Sequence, residues 1–321
     1  VARRGGPGGP DGLVIVDKPA GWTSHDVVAK SRGLLGTRKV GHAGTLDPDA
    51  TGVLLLGVGR ATKLLRYLSP LGKSYIGTFA LGVATSTQDS SGEVLATFDQ
   101  AQVVLADVRA AAKGFMGDIE QVPPMVSALK VGGRRLHELA REGKEVERAA
   151  RPVTVSSLEI TEPDPGLGPR IGGEPTQEWI DAAGRGAGSS FGLAVTCSSG
   201  TYVRTLAHDL GAALGGGAHL SALRRTAVGP FGIDEAVPLE QVGPETVRPM
   251  IDVVRHLPRV EVDEALAAAI AVGKVLDRVE LGVSGDGPWA VTGPDGGLLA
   301  VYEPFREATA KPAVVLAPAG S

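Results

Sequence analysis

Short unbroken apolar runs at Leu13–Val16 and Val53–Val58 predict buried strands. Between them, the turn Lys18-Pro19-Ala20-Gly21 leads into a helix, capped by Thr23 or Ser24, that runs to about Leu35. Lys73–Thr85 reads as one strand with Tyr75 near its start, followed by turn-rich Ser86–Gly92, which includes Asp89. Pro123-Pro124 sets the entry to Gln121–Arg151, where Arg134–Val146 has the pattern of an amphipathic helix of mixed charge. Pro163–Ser190 is rich in Gly, Pro and polar residues and lacks periodicity. It reads as a partly disordered insertion between two strands, with Trp179 docking a short helical turn. Phe191–Cys197 resumes the strand pattern. Gly200-Thr201 then opens a helix to about Leu214, with Tyr202 and Arg204 in its first turn.

Past about Pro249 the chain changes character. Asp263–Val272 predicts an Ala-rich helix, and strand-like pieces lie at Val279–Val283, Trp289–Val291, Leu298–Tyr302 and Ala313–Leu316. Turns separate them, which predicts a small β-barrel. At 321 residues and 43% hydrophobic, the chain can bury one large core and a small second domain. The expected division is a flexible tail over residues 1–11, a main domain over 12–248 and the barrel over 249–321.

One cysteine, Cys197, excludes an internal disulfide framework and a Cys-rich metal site. The six histidines show no metal-ligand spacing, so no metal is expected. No run is long enough to span a bilayer and no signal peptide is evident, so a cytoplasmic location is expected, away from membranes.

The chemistry concentrates in Gly41–Gly52, GHAGTLDPDATG. Two carboxylates stand two residues apart around a proline, with His42 five residues ahead of Asp47. Asp-Pro and Thr-Gly mark turns, and Pro48 biases Asp47 away from helix. A carboxylate on a stiff loop anchored to a buried strand is a catalytic candidate. Taken alone, the same residues more often make a surface turn or a helix cap than a catalytic site.

Five separated blocks, in order, then carry a resemblance. They are Gly12–Val28, Gly41–Gly52, Gln121–Arg141, Cys197–Leu210 and Gly217–Gly229, with Tyr75 between the second and third. Together they closely resemble the TruB family of tRNA pseudouridine synthases, over about Gly12–Gly232. The resemblance implies an α+β pseudouridine-synthase fold: a mixed, mostly antiparallel sheet flanked by helices, with a C-terminal barrel of the PUA type. It implies isomerisation of uridine 55 in the T-loop of tRNA, with Asp47 as the catalytic residue. It places His42 against the RNA, Tyr75 on the target base and Tyr202 in the motif that supplies Arg204. Arg204 pairs with the catalytic carboxylate, Leu223 walls the uridine pocket, and Lys18-Pro19 support the loop. Residues 121–151 correspond to a mobile segment that closes over the T-loop.

Pseudouridine formation breaks the N1–C1′ bond, turns the base over and rejoins it through C5. No atom is gained or lost, so no external cofactor is needed. A buried carboxylate tends to protonate, and a neighbouring guanidinium favours its charged form. A stacked uridine must be flipped out to be reached.

Net charge is −4, unlike that of a typical RNA binder. Its distribution is uneven. Through residue 80 there are eleven Lys or Arg against five acids, and from Gly232 onward seven against fourteen. Local positive surface attracts phosphate, so Arg38, Lys39, Arg60, Lys63, Arg66 and Lys73 are candidates. Lys130, Arg134, Arg135 and Arg141 are candidates in the closing segment, where His137 stands in place of the family's frequent tyrosine. Such a segment suits an enzyme that grips the T-arm stem-loop as a monomer without an obligatory protein partner. The rival readings are a non-catalytic RNA-binding protein and an isomerase guided to another RNA.

Overall fold

The computed structural model describes residues 9–316, apart from 128, 145, 168, 169, 175 and 184–187, and apart from the side chains of 130, 131, 135, 137, 140, 141, 178, 182 and 183. The expected tail thus lies mostly outside the described residues.

The chain enters through β1 (Gly12–Lys18), and Thr23 caps α1 (Ser24–Leu34) in a reciprocal box with Asp26. Then come β2 (Val40–Ala43) and β3 (Thr51–Val58), whose eight residues are all buried. That continuous apolar run marks β3 as an interior strand. Short α2 (Leu65–Leu68) leads to β4 (Lys73–Leu81). The expected single strand over 73–85 breaks at Gly82, whose N–H is drawn to Gly217 O and Gln100 Oε1. β5 (Val83–Thr85) therefore leaves the main sheet and pairs with β6 (Val94–Thr97).

α3 (Leu105–Ala112) and β7 (Gly117–Gln121) follow. The helix expected over Arg134–Val146 is shorter than its pattern. Gly132-Gly133 turn the chain into a hairpin of β8 (Lys130–Val131) and β9 (Arg134–Arg135), and α4 spans only Leu136–Arg141. β10 (Arg151–Thr161) then leads to α5 (Gln177–Ala183), which contains Trp179. Within the insertion expected to be partly disordered, the described residues include this helix and place Ile171 in the core.

β11 (Ser190–Cys197) returns to the sheet. α6 (Val203–Ala213) begins after Tyr202, which occupies the N-cap position and not the expected first turn. β12 (Ala218–Val228), β13 (Phe231–Gly232) and β14 (Val237–Pro238) complete a ten-stranded sheet. Its order is β14-β1-β3-β12-β4-β11-β10-β7, with β2 on β3 and β13 on β12. The β1–β14 and β3–β12 pairs are parallel and the others antiparallel, giving the expected mixed sheet.

The parallel contact between β3 and β12 is close. A Cβ at Gly52 (φ +101°) would meet the Arg225 carbonyl oxygen at 2.1 Å, so only glycine fits there. This contact brings Arg225 beneath the loop between β2 and β3.

α7 (Met250–Val253) packs on β1 before the second sheet begins. That sheet holds β15 (Arg259–Glu261), β16 (Leu276–Asp277), β17 (Trp289–Thr292), β18 (Leu298–Phe305) and β19 (Thr309–Val315), in the order β15-β17-β18-β19-β16. It curls into a half barrel. α8 (Glu264–Ala271) is the expected Ala-rich helix, capped by Asp263. Val279–Val283 is not a strand: the Asp277 carboxylate accepts from the Val279 N–H and starts α9 (Arg278–Leu281). The cap overrides the β preference of the two valines. Ala290, Val301 and Val314 share an apolar cluster with Leu13, Ile15 and Phe231, which joins the half barrel to the main sheet.

Candidate active site

The loop Gly44–Ala50 joins β2 to β3, and buried polar side chains hold it from below. Lys18, fully buried at the end of β1, donates through Nζ to Pro48 O at 2.6 Å, Trp22 O at 2.7 Å and Pro19 O at 2.9 Å. Ser24, freed from capping by Thr23, accepts from the Leu46 N–H at 2.9 Å and returns a bond to Leu46 O at 3.2 Å. Arg225 is 1% exposed. Its guanidinium donates to Val53 O at 2.7 Å, Gly44 O at 3.0 Å and Thr45 O at 3.3 Å. Three elements therefore fix the loop backbone on both sides of Leu46, which leaves Asp47 at its crest.

Asp47 faces a cavity of about 300 Å³, with Tyr75, Tyr202, Arg204, Leu223 and Arg225 in its lining. Arg204 Nε lies 3.0 Å from Asp47 Oδ2. Arg204 projects from the first turn of α6 and its side chain is 5% exposed, against 48% for Asp47. The rest of the guanidinium is occupied. Nη1 donates to Thr87 O at 2.8 Å and lies 3.4 Å from the carboxylate of buried Asp89, and Nη2 donates to Val126 O at 2.9 Å. The fork is locked by partners outside the cavity, and its Nε edge alone meets Asp47. The Asp47 carboxylate is thus presented to the cavity with oxygen lone pairs still open.

Tyr75 stands on β4, opposite Arg225 in the pairing with β12. Burial pushes its phenol pKa up, opposed chiefly by the nearby Arg225 guanidinium, so the ring stays neutral. Tyr202 is half-buried, and the Gln121 amide clamps its backbone: the Tyr202 N–H donates to Oε1 at 3.0 Å and its carbonyl accepts from Nε2 at 3.3 Å. Leu223 forms the apolar part of the wall.

Of the other predicted residues that are described, Lys73 also lines the cavity, and the rest lie or point elsewhere. His42, on β2, packs edge-on against His25 at 5.2 Å and is not among the residues lining the cavity. Burial lowers its pKa to about 4, and its buried Nδ1 has no hydrogen-bond partner among the described residues. Pro19 follows Lys18 and supplies one of its acceptors. Arg60, expected to face RNA, is engaged by Asp11 at 2.6 Å and by Leu316 O at 2.6 Å, and so ties the main sheet to the half barrel. Arg66 pairs with Glu303 at 3.2 Å on the same seam. Lys73, also expected at the surface, is buried and donates to Ser69 O and Leu71 O, both at 2.7 Å. Lys63, Arg38 and Lys39 are exposed. Arg134 is exposed and pairs with Glu142. The side chains of Lys130, Arg135, His137 and Arg141 lie outside the described residues.

Sequence reasoning passed over Arg225, Ser24 and the role of Asp89. Arg225 was within reach. Residues i and i+2 of a strand share a face, so Leu223 and Arg225 point together into the cavity while Arg224 points away to Asp17. Asp89 gave no such signal, because its partner is distant in sequence and its turn has no period.

Comparisons with known proteins give the family of the chain. Residues 32–203 match the TruB family pseudouridylate synthase (N terminal domain) model, and residues 204–249 match the tRNA pseudouridylate synthase B C-terminal domain model. The chain is 48% identical to tRNA pseudouridine synthase B of Streptomyces coelicolor, over 92% of this chain and 94% of that one. It is 46% identical to the protein of the same name from Thermobifida fusca, over 96% and 99%. Among solved structures, a chain of a Cbf5-Nop10-Gar1 complex superposes with a TM-score of 0.68 at 26% identity, over 95% of this chain and 84% of that one. A chain of an H/ACA ribonucleoprotein bound to a substrate RNA containing 2′-deoxyuridine has the same TM-score at 24% identity, over 96% and 86%, and shares the fold. A chain matched along this length, with its aspartate and arginine brought into contact across a cavity, belongs to the TruB family of pseudouridylate synthases.

Proposed function

We propose that this protein isomerises uridine 55 in the T-loop of tRNA to pseudouridine, with Asp47 as the reacting carboxylate. The Asp47–Arg204 pair at the cavity carries the reading. The guanidinium aims the acid. Tyr75 offers a neutral aromatic face for the flipped base, a contact of about 1–3 kcal/mol in other RNA-binding sites. Leu223 and Tyr202 close the pocket around it. Nothing in the isomerisation calls for a redox group or an added reactant.

The relatives' name supports tRNA as the substrate. The chain acts as a monomer in the cytoplasm and needs no guide protein, because residues 121–151 furnish their own grip. Lys130, Arg134 and Arg141 are the candidates for RNA phosphates there, and exposed Lys63, in the turn after β3, extends the positive surface. His42 meets the RNA beside the loop. Among the described residues, no helix is long and apolar enough to cross a membrane.

A T-arm stem-loop as sole substrate, with purified protein and no other component, tests this reading. Conversion confined to the uridine equivalent to position 55 supports it. No conversion, or conversion only with an added protein or guide RNA, refutes it.

A further inference from the structure

Part of the insertion between β10 and β11 reaches the loop that carries Asp47. Ile171 is 5% exposed and packs in one apolar cluster with Leu46, Ala50 and Leu223. Its N–H donates to Ser221 O of β12 at 2.8 Å. The next N–H, that of Gly172, donates to Asp49 Oδ2 at 3.0 Å. Gly172 has φ +77°, and a Cβ there would meet Ser91 Cα at 2.9 Å, so the seat demands glycine. Trp179 stands edge-on to His219 of β12 at 5.6 Å, and the Arg170 guanidinium covers its ring at 4.9 Å. The segment is thus fastened to β12 on both sides of Asp49's donor.

These contacts complete the hold on the loop. Lys18, Ser24 and Arg225 grip its backbone only as far as Pro48. Asp49 accepts its hydrogen bond from the insertion instead. Between the two acids stands Pro48, whose ring fixes its φ, so a shift of Asp49 passes on to Asp47. Ile171 also walls a smaller cavity of about 170 Å³ that Asp47 and Arg204 share.

We infer that Arg170–Gly173 is a strap that sets the aim of Asp47: the Gly172 amide holds Asp49, and Ile171 closes the wall beside it. Asp49 and Gly172 are positioning residues that act through Pro48 on the carboxylate. The inference rests on Asp47 being the reacting group.

Single-turnover isomerisation and T-arm RNA affinity, measured separately, test the strap. Small displacements at a reacting group are costly, so Asp49→Ala should slow the single-turnover step about tenfold with affinity nearly unchanged. Asp49→Asn keeps an acceptor oxygen and should restore most of the lost rate. Gly172→Ala should copy Asp49→Ala, and the double variant should be no slower than either alone. A wild-type rate in Asp49→Ala overturns the strap, as does an Asn variant as slow as the Ala variant, or additive losses in the double variant. An active Asp47→Asn protein would instead sink the reading on which the strap rests, so the two failures are distinguishable.

Discussion

Lys18 Nζ lies 2.6 Å from the carbonyl oxygen of Pro48, thirty residues away in sequence. The ammonium is fully buried and spends its three N–H groups on three backbone carbonyls. It fastens the peptide next to Asp47 to the end of a core strand, and so connects the stability of the sheet to the placement of the reacting group.

Lys18→Met keeps the stem and removes the donors. Three carbonyls lose their partner, which should cost about 2–4 kcal/mol in urea unfolding, at about 1 kcal/mol or more per unmet acceptor. The isomerisation rate should fall by roughly 100-fold, because the loop crest moves. Burial lowers the Lys18 pKa to about 8, with Asp49 and Asp47 opposing the shift. Above that pH the folded amine loses a proton and one donor, so the wild-type rate should decline on the alkaline side. Folding responds with the opposite sign: between pH 8 and 10.5 the unfolded chain binds the proton that the folded one releases, so this group raises stability with pH.

Arg204 neutralises two acids at once, and they differ. Asp47 is half exposed, whereas the Asp89 side chain is only 8% exposed. Arg204→Met should therefore cost about 3–5 kcal/mol of stability, the usual penalty for an unpaired buried charge, besides abolishing turnover. Asp89→Asn in the same protein should recover much of the stability and none of the activity. Chemical denaturation and a C5-tritium release assay read the two separately.

Tyr75→Leu removes the aromatic face and keeps an apolar side chain. Turnover should fall by at least about 100-fold while the T-arm Kd changes less than about fivefold, since many phosphate contacts hold the RNA. Equal losses in rate and affinity would mean that the ring only binds.

His42 is buried neutral, with its pKa at about 4 against 6.5 unfolded. Above pH 6.5 neither state is protonated and the group makes no difference. As pH falls from 6.5 towards 4, the unfolded chain takes a proton that the folded one refuses, so stability is lost. His42→Gln should shed this loss, and the gap between the two proteins should reach roughly 1–3 kcal/mol by pH 4. Parallel stability–pH curves for the two proteins would contradict it.

Much of the site was legible because its signals are local. The buried run of β3, the cap at Thr23 and the Asp-Pro turn place Asp47 on a stiff loop against the core. The family resemblance then joined Asp47 to Arg204 across 157 positions of sequence, which no period could do. The misreadings share a cause. Lys73 looks like a surface cation because its acceptors, Ser69 O and Leu71 O, are backbone atoms without a side-chain signature. Val279–Val283 looked like a strand because a single capping carboxylate outweighs two β-branched residues. Pro163–Ser190 reads as partly disordered because Ile171 and Trp179 are isolated apolar anchors, each seated on a strand far away in sequence.

The account turns on Asp47, and the change of one carboxylate oxygen to an amide tests it most directly. Asp47→Asn should fold with wild-type stability to within about 1 kcal/mol, because the residue is exposed and Arg204 retains Asp89. It should bind the T-arm stem-loop and release no tritium from C5 of the target uridine in a single turnover. Tritium release at a rate near that of the wild type would contradict the account.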